Sequence, residues 1–122
     1  METKKYPEFK SAGIPSFEEA WEYLIRLPLK GQNLPNARGA NTIIDINWRG
    51  VTRKSSRNNI SDIDIELFRF AYNEVLEKGF VLGDYINEQV HGGCSTCILS
   101  VFKKLPHIVP MENKRGVELK RP

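Results

Sequence analysis

Two cysteines, Cys94 and Cys97, stand between His91 and His107, so the chain carries the spacing H-x2-C-x2-C-x9-H. These are nitrogen and sulfur groups of the kind that tetrahedral zinc accepts. On a helical wheel, however, both cysteines join the apolar stripe of Ile98, Val101 and Leu105, where a free cysteine behaves as a small hydrophobe. A second CxxC is missing and His107 falls more than a helical turn beyond Cys97, so neither a metal nor a cofactor is expected. As a redox pair, Cys94-Ser95-Thr96-Cys97 would open a helix whose dipole lowers a thiol pKa, but the segment before it reads as helix and then glycine rather than strand. A cysteine nucleophile with His91 or His107 as base has no diagnostic spacing. Metal-dependent cleavage needs converging carboxylates. Asp45 is expected to face Lys54 across a hairpin without a second acid, and Asp62, Asp64 and Glu66 read as the solvated start of a helix. The expectation is a protein that is not an enzyme and takes no small-molecule substrate.

Charge is the chemistry that remains. The net charge is only +3, but its distribution is uneven. Arg26, Lys30, Arg38, Arg49, Arg53, Lys54 and Arg57 oppose the single acid Asp45, and near the end Lys103, Lys104, Lys114, Arg115, Lys120 and Arg121 oppose Glu112 and Glu118. An acidic stretch from Asp62 to Glu88 separates these blocks. A fold that gathers the two basic blocks on one side makes a patch that neutralises phosphates.

The elements that must position these residues have local signatures. Ser16 and Glu19 form a capping box ahead of a helical stripe of Phe17, Ala20, Trp21, Leu24 and Ile25, which Pro28 ends. Residues 29–40 read as a loop. The stretch NTIIDINWRGVTRKSS predicts a β-hairpin turning at Arg49-Gly50, with Trp48 opposite Val51, an apolar face of Ile44, Ile46, Trp48 and Val51, and Asp45 opposite Lys54. Residues 56–60 read as a polar connection, placing a boundary between an N-terminal helix and hairpin (1–60) and a C-terminal unit (61–122). Ser61 is expected to open a helix with Asp62 and Asp64 in its first turn, the stripe Ile65, Phe68, Ala71, Tyr72, Val75 and Leu76, and a C-cap at Gly79. Phe70 falls on its opposite face and is expected to pack on the N-terminal unit. A short helical segment with Tyr85, Ile86 and Val90 follows, then the turn His91-Gly92-Gly93 and a helix from Cys94. The last element is a hairpin of Ile108–Glu112 and Val117–Lys120 around Asn113-Lys114-Arg115-Gly116.

On the wheel, Ser95, Thr96, Leu99, Ser100 and Lys103 face away from the cysteine stripe and form a short, mostly polar side. The run from Ser61 to Arg121, about half the chain, resembles the winged helix-turn-helix superfamily in the order of its helices, turn and terminal hairpin. With the N-terminal half, the expected class is α+β: an N-terminal helix and β-hairpin packed on a C-terminal winged helix-turn-helix. The resemblance implies a partner, duplex DNA, and a helix in its major groove. Ser95, Thr96, Ser100 and Lys103 are then expected at the groove and Lys104, Lys114 and Arg115 on phosphate, with Arg53, Lys54 and Arg57 extending the patch. Such a protein would regulate transcription or serve as the DNA-reading part of a larger complex. The alternative is a protein-protein interaction module, an adaptor or inhibitor using Leu99, Phe70 and the wing, or a homodimer. No apolar run reaches the roughly 20 residues that span a bilayer, and METKKYPEF lacks a signal-peptide core, so a cytoplasmic protein without a membrane partner is expected.

Overall fold

The computed structural model describes residues 13–36, 39–89 and 94–120. Helix α1 (Phe17–Arg26) starts at the capping box: the Ser16 hydroxyl accepts from the Glu19 amide at 3.2 Å, and the Glu19 carboxylate accepts from the Ser16 amide at 3.3 Å. Such a cap contributes about 1 kcal/mol. A meander of strands follows, β1 (Asn33–Asn36), β2 (Gly39–Asn47), β3 (Gly50–Lys54) and β4 (Ile60–Asp64), forming one antiparallel sheet in chain order. Helix α2 (Ile65–Lys78) leads through β5 (Phe80–Leu82) to α3 (Gly83–Gln89), and α4 (Ser95–Phe102) leads to β6 (Ile108–Pro110) and β7 (Gly116–Leu119). The second sheet is antiparallel with the order β5-β7-β6. The described chain is therefore α+β, with four helices and two antiparallel sheets.

Several elements differ from the sequence expectation for tertiary reasons. The β2–β3 turn is Trp48-Arg49, with Asn47 opposite Gly50 and Ile46 opposite Val51, and the register shifts between Ile43 and Asp45. That irregularity turns Ile43 and Ile46 both inward and leaves Ile44 exposed, so Ile43 takes the place of Ile44 on the apolar face, and Trp48, in the turn, is exposed as well. Asp45 lies opposite Thr52, not Lys54. Ser61 does not open a helix. Residues Ile60 to Asp64 pair with β3, and Asp64 is the N-cap of α2, accepting from the Glu66 amide at 2.8 Å. The boundary expected after residue 60 thus falls inside a paired strand. Phe70 packs on Tyr85 of α3 with ring centroids 5.7 Å apart, not on the N-terminal elements, and Leu76 is exposed. Gly79 caps α2 in the left-handed region at φ 89°, as its position predicts.

One core joins both halves. Trp21 of α1 lies 4.8 Å from Phe68 of α2, Phe68 lies 6.0 Å from Phe102 of α4, and Phe102 meets Tyr72 at 5.8 Å, all as ring centroids. Pairs of this kind add about 1 kcal/mol each beyond the area they bury. The Trp21 indole donates to the Asn47 carbonyl at 2.9 Å, tying α1 to the end of β2. Tyr72 donates to the Pro15 carbonyl at 2.7 Å and shares a 2.8 Å hydrogen bond with His107 Nε2, so the chain before α1 is fastened to the segment after α4.

Gly50 is fixed by this architecture. Its φ is 138°, and a Cβ there would run into the Ile63 carbonyl oxygen of the neighbouring strand. Gly31, at φ 85°, has open space around it. Gly50→Ala is expected to lower stability by about 3 kcal/mol, combining backbone strain with a clash, and Gly31→Ala by about 1 kcal/mol from strain alone. Urea unfolding of the two variants checks this order, and equal losses would contradict the β3–β4 register.

Candidate nucleic-acid interface

Helix α4 was expected to present a polar reading face, and the structure corrects this. Seven of its eight residues are buried, including Ser95, Leu99 and Ser100, and Thr96 is half-buried. Helix α4 packs against α3, β7 and, from the N-terminal sheet, β1, and the Ser95 hydroxyl accepts from Arg115. Ser95 and Ser100 are accessible at only 2% and 5%, too little for either to touch a base edge. Lys103 and Lys104 are exposed in the turn after the helix.

Of the other predicted cations, Arg115 reaches the opposite end of α4. Arg115, from the loop between β6 and β7, donates to the Ser95 hydroxyl at 3.1 Å and lies 4.0 Å from Asp84 at the start of α3. Gly83 makes room for it: a Cβ there would overlap the guanidinium. Arg53, near the end of β3, donates to Ser61 and to the buried Asn41 carboxamide, both at 3.1 Å. Its charge also acts on Cys94 and Cys97 at the start of α4. Arg115 thus bonds the first residue of α4, where Cys94 is the N-cap and makes no side-chain capping bond. Lys54 is the last residue of β3, half-buried, and Arg57 is exposed in the turn that follows. Lys114 is exposed beside Arg115.

The sequence reading passed over Ser56, Asn58 and Asn59, which it placed in a connection between domains. They occupy the tip of the β3–β4 hairpin beside Arg57, and all are exposed. The signal was present in the run of basic and amide residues between two β-branched stretches, but the helix assigned to Ser61 concealed the second strand.

The groups that first suggested chemistry are otherwise engaged. Burial pushes the Cys97 thiol up to about 12 and raises that of Cys94, against the opposing pull of Arg53, so Cys97 is protonated at neutral pH. His107 is buried against Tyr72, and His91 lies outside the described residues. An open cleft of about 510 Å³ on the outer face of β2 to β4 is lined by Asp45, Asn47, Arg49, Thr52, Asp62 and Asp64, among others. The sequence had given Asp45 no second acid nearby, yet strand order places Asp62 across Thr52 from it. Each carboxylate has a partner in the fold: Asn47 and Lys30 for Asp45, Thr52 for Asp62, and the α2 amide for Asp64. Among the described residues no group of three or more histidine, cysteine or acidic side chains is placed to hold a metal ion.

No family model, curated protein or solved structure matches the chain. No helix among the described residues is long and apolar enough to cross a membrane.

Burial lowers the His107 pKa from its usual 6.5 to about 4. The folded state thus binds this proton less readily than the unfolded chain, so the contribution is fully present above pH 6.5 and is lost as pH falls through 4. The expected loss is about 3 kcal/mol over that interval. Urea unfolding at pH 7 and pH 4, compared between the wild type and His107→Leu, checks it: the variant should show a smaller difference between the two pH values.

Proposed function

We propose that the chain is a non-enzymatic DNA-binding protein built on a winged helix-turn-helix scaffold, with its contact surface at the hairpin end of the N-terminal sheet rather than on the outer side of α4. The scaffold is supported by the order α2, β5, α3, α4, β6, β7 together with the β5-β7-β6 sheet, in which the first strand pairs with the last and the β6–β7 loop serves as the wing. The observation that carries the binding surface is the hydrogen bond of Arg115, in the β6–β7 loop, to Ser95 at the start of α4, with Arg53 held on the N-terminal sheet by Ser61 and Asn41. Uncapped amides and guanidinium groups at one place favour a phosphate. Lys54, Arg57 and Lys114 extend the charge around it, so the sheet that closes α4 also supplies part of the contact. A role in transcription regulation, or as the DNA-reading part of a larger complex, belongs to the same reading.

A protein-interaction module is the second reading, and Trp48 favours it. This indole is 51% exposed at the β2–β3 turn, at the end of the sheet away from Arg57, beside the carboxylates of the cleft. An adaptor using that end would show no salt-dependent affinity for duplex.

Titration of the full chain with random duplex at increasing salt tests the first reading. Affinity should fall steeply as salt rises. The triple variant Lys54→Glu/Arg57→Glu/Lys114→Glu should bind at least about tenfold more weakly and show a salt slope reduced by roughly 3, one for each lost phosphate contact. Lys103→Glu/Lys104→Glu, at the far end of α4 roughly 12 Å away, should change affinity less. No binding at low salt, or a triple variant indistinguishable from wild type, would contradict the reading.

A further inference from the structure

Strand β4 ends its sheet, and among the described residues no strand lies on its far side. The phase of its hydrogen bonds shows which groups face that side. The Ile65 amide donates to the Arg49 carbonyl at 2.8 Å and the Ser55 amide donates to the Asn59 carbonyl at 2.9 Å, in the antiparallel register that pairs Val51 with Ile63. Asn59, Ser61, Ile63 and Ile65 therefore turn their backbone groups toward β3, and the backbones of Ile60 and Asp62, with the Asp64 N–H, turn outward. Among the described residues no strand or turn pairs with these outward groups. The other edge of the sheet is blunted: Pro35 in β1 has no N–H, and α4 packs against that strand.

The same three residues carry a side-chain pattern. Ile63 is buried, so Ile60, Asp62 and Asp64 lie on the outer face of the sheet. The Asp62 carboxylate accepts from the Thr52 hydroxyl, a neutral partner that leaves its charge in place. Asp45, Asp62 and Asp64 line one open cleft there, against the single cation Arg49. Ile60, 65% exposed and opposite Lys54, is the apolar end of the row. A sheet edge takes up an extended segment through main-chain hydrogen bonds, and alternate side chains of the segment give specificity. Residues directly opposite each other on antiparallel strands share a face, so a residue opposite Asp62 stands beside the cleft, where a cation is favoured. Two copies of β4 paired through Asp62 would set like charges opposite each other, which is destabilising.

We propose that β4 takes up an extended segment of a partner protein as a fifth, antiparallel strand of this sheet. The segment has the pattern basic-x-basic-x-apolar, with its basic residues opposite Asp64 and Asp62 and its apolar residue opposite Ile60. The order follows from the charges: cations belong at the carboxylate end of the row, and the Lys54 end takes the apolar residue. This site goes beyond the DNA-binding reading and does not rest on it.

Fluorescence anisotropy of a labelled peptide, Thr-Lys-Thr-Arg-Thr-Val-Thr, titrated with the full chain tests it. Its lysine, arginine and valine would face Asp64, Asp62 and Ile60 and turn their amides toward β4. N-methylation of the arginine amide should therefore weaken binding by about tenfold, and N-methylation of the threonine that follows it should change binding far less. Asp62→Lys, shown to be folded by an unchanged circular dichroism spectrum, should lose the peptide and prefer a counterpart with glutamate in place of arginine. Equal effects of the two N-methylations, or equal binding of both peptides by the wild type, would reduce the contact to charge alone and overturn the proposal. So would the absence of binding at about 1 mM peptide. Protection of the Asp62 amide from hydrogen exchange that rises with protein concentration, without peptide, would assign the edge to a second copy of the chain and overturn it as well.

Discussion

The structure depends on the burial of α4 on both sides. A helix of eight residues with seven buried is a core element, and the fold supplies a cover for each side: α3 and β7 of the C-terminal half, and β1 of the N-terminal sheet. Phe102 at its end meets Phe68 and Tyr72, and through Phe68 the contact reaches Trp21 of α1. Buried residues of both parts of the sequence belong to one core.

That seating also determines where charge can act. Arg115 bonds Ser95 at the N-terminus of α4, and Lys103 and Lys104 are exposed in the turn after its last residue. The two arginines are held by neutral partners, Arg53 by Ser61 and Asn41 and Arg115 by Ser95, and the nearest recorded carboxylate, Asp84, is 4.0 Å from Arg115. An exposed contact of that length is worth little, so most of the positive potential remains available to a partner. At the other end of the sheet the outer face carries Asp45, Asp62 and Asp64. The same cleft is lined by Arg49, and Lys30 lies 3.5 Å from Asp45.

How much of this was legible in the sequence follows from the range of each signal. The capping box at Ser16 and Glu19, the C-cap at Gly79 and the turn around Lys114 and Arg115 depend on a few neighbouring residues, and the structure has each where the sequence placed it. Strands β1, β4 and β5 were missed. Asn33–Asn36 contains a proline and few β-formers, and Ile60–Asp64 imitates a helix N-terminus; both become strands by pairing with partners that no local pattern reveals. The helical wheel identified the inner side of α4 correctly through Cys94, Cys97, Ile98 and Val101. It could not tell whether water or a second sheet lay on the other side, since Ser95, Thr96 and Ser100 suit either, and Leu99 in that row was the one sign of burial. Arg53, Lys54 and Arg57 were singled out by charge alone, and strand pairing is what gathers them at the β3–β4 turn.

The central claim is that α4 stays closed and that a nucleic acid meets the hairpin end of the sheet. Amide NMR shifts of the full chain, followed as a short duplex is added, address it directly. The account predicts that the amides of residues 54–59 and 114–115 move progressively with added duplex while those of Leu99, Ser100 and Leu34 stay in place. Large shifts along α4 and β1, with the β3–β4 turn unmoved, would contradict it.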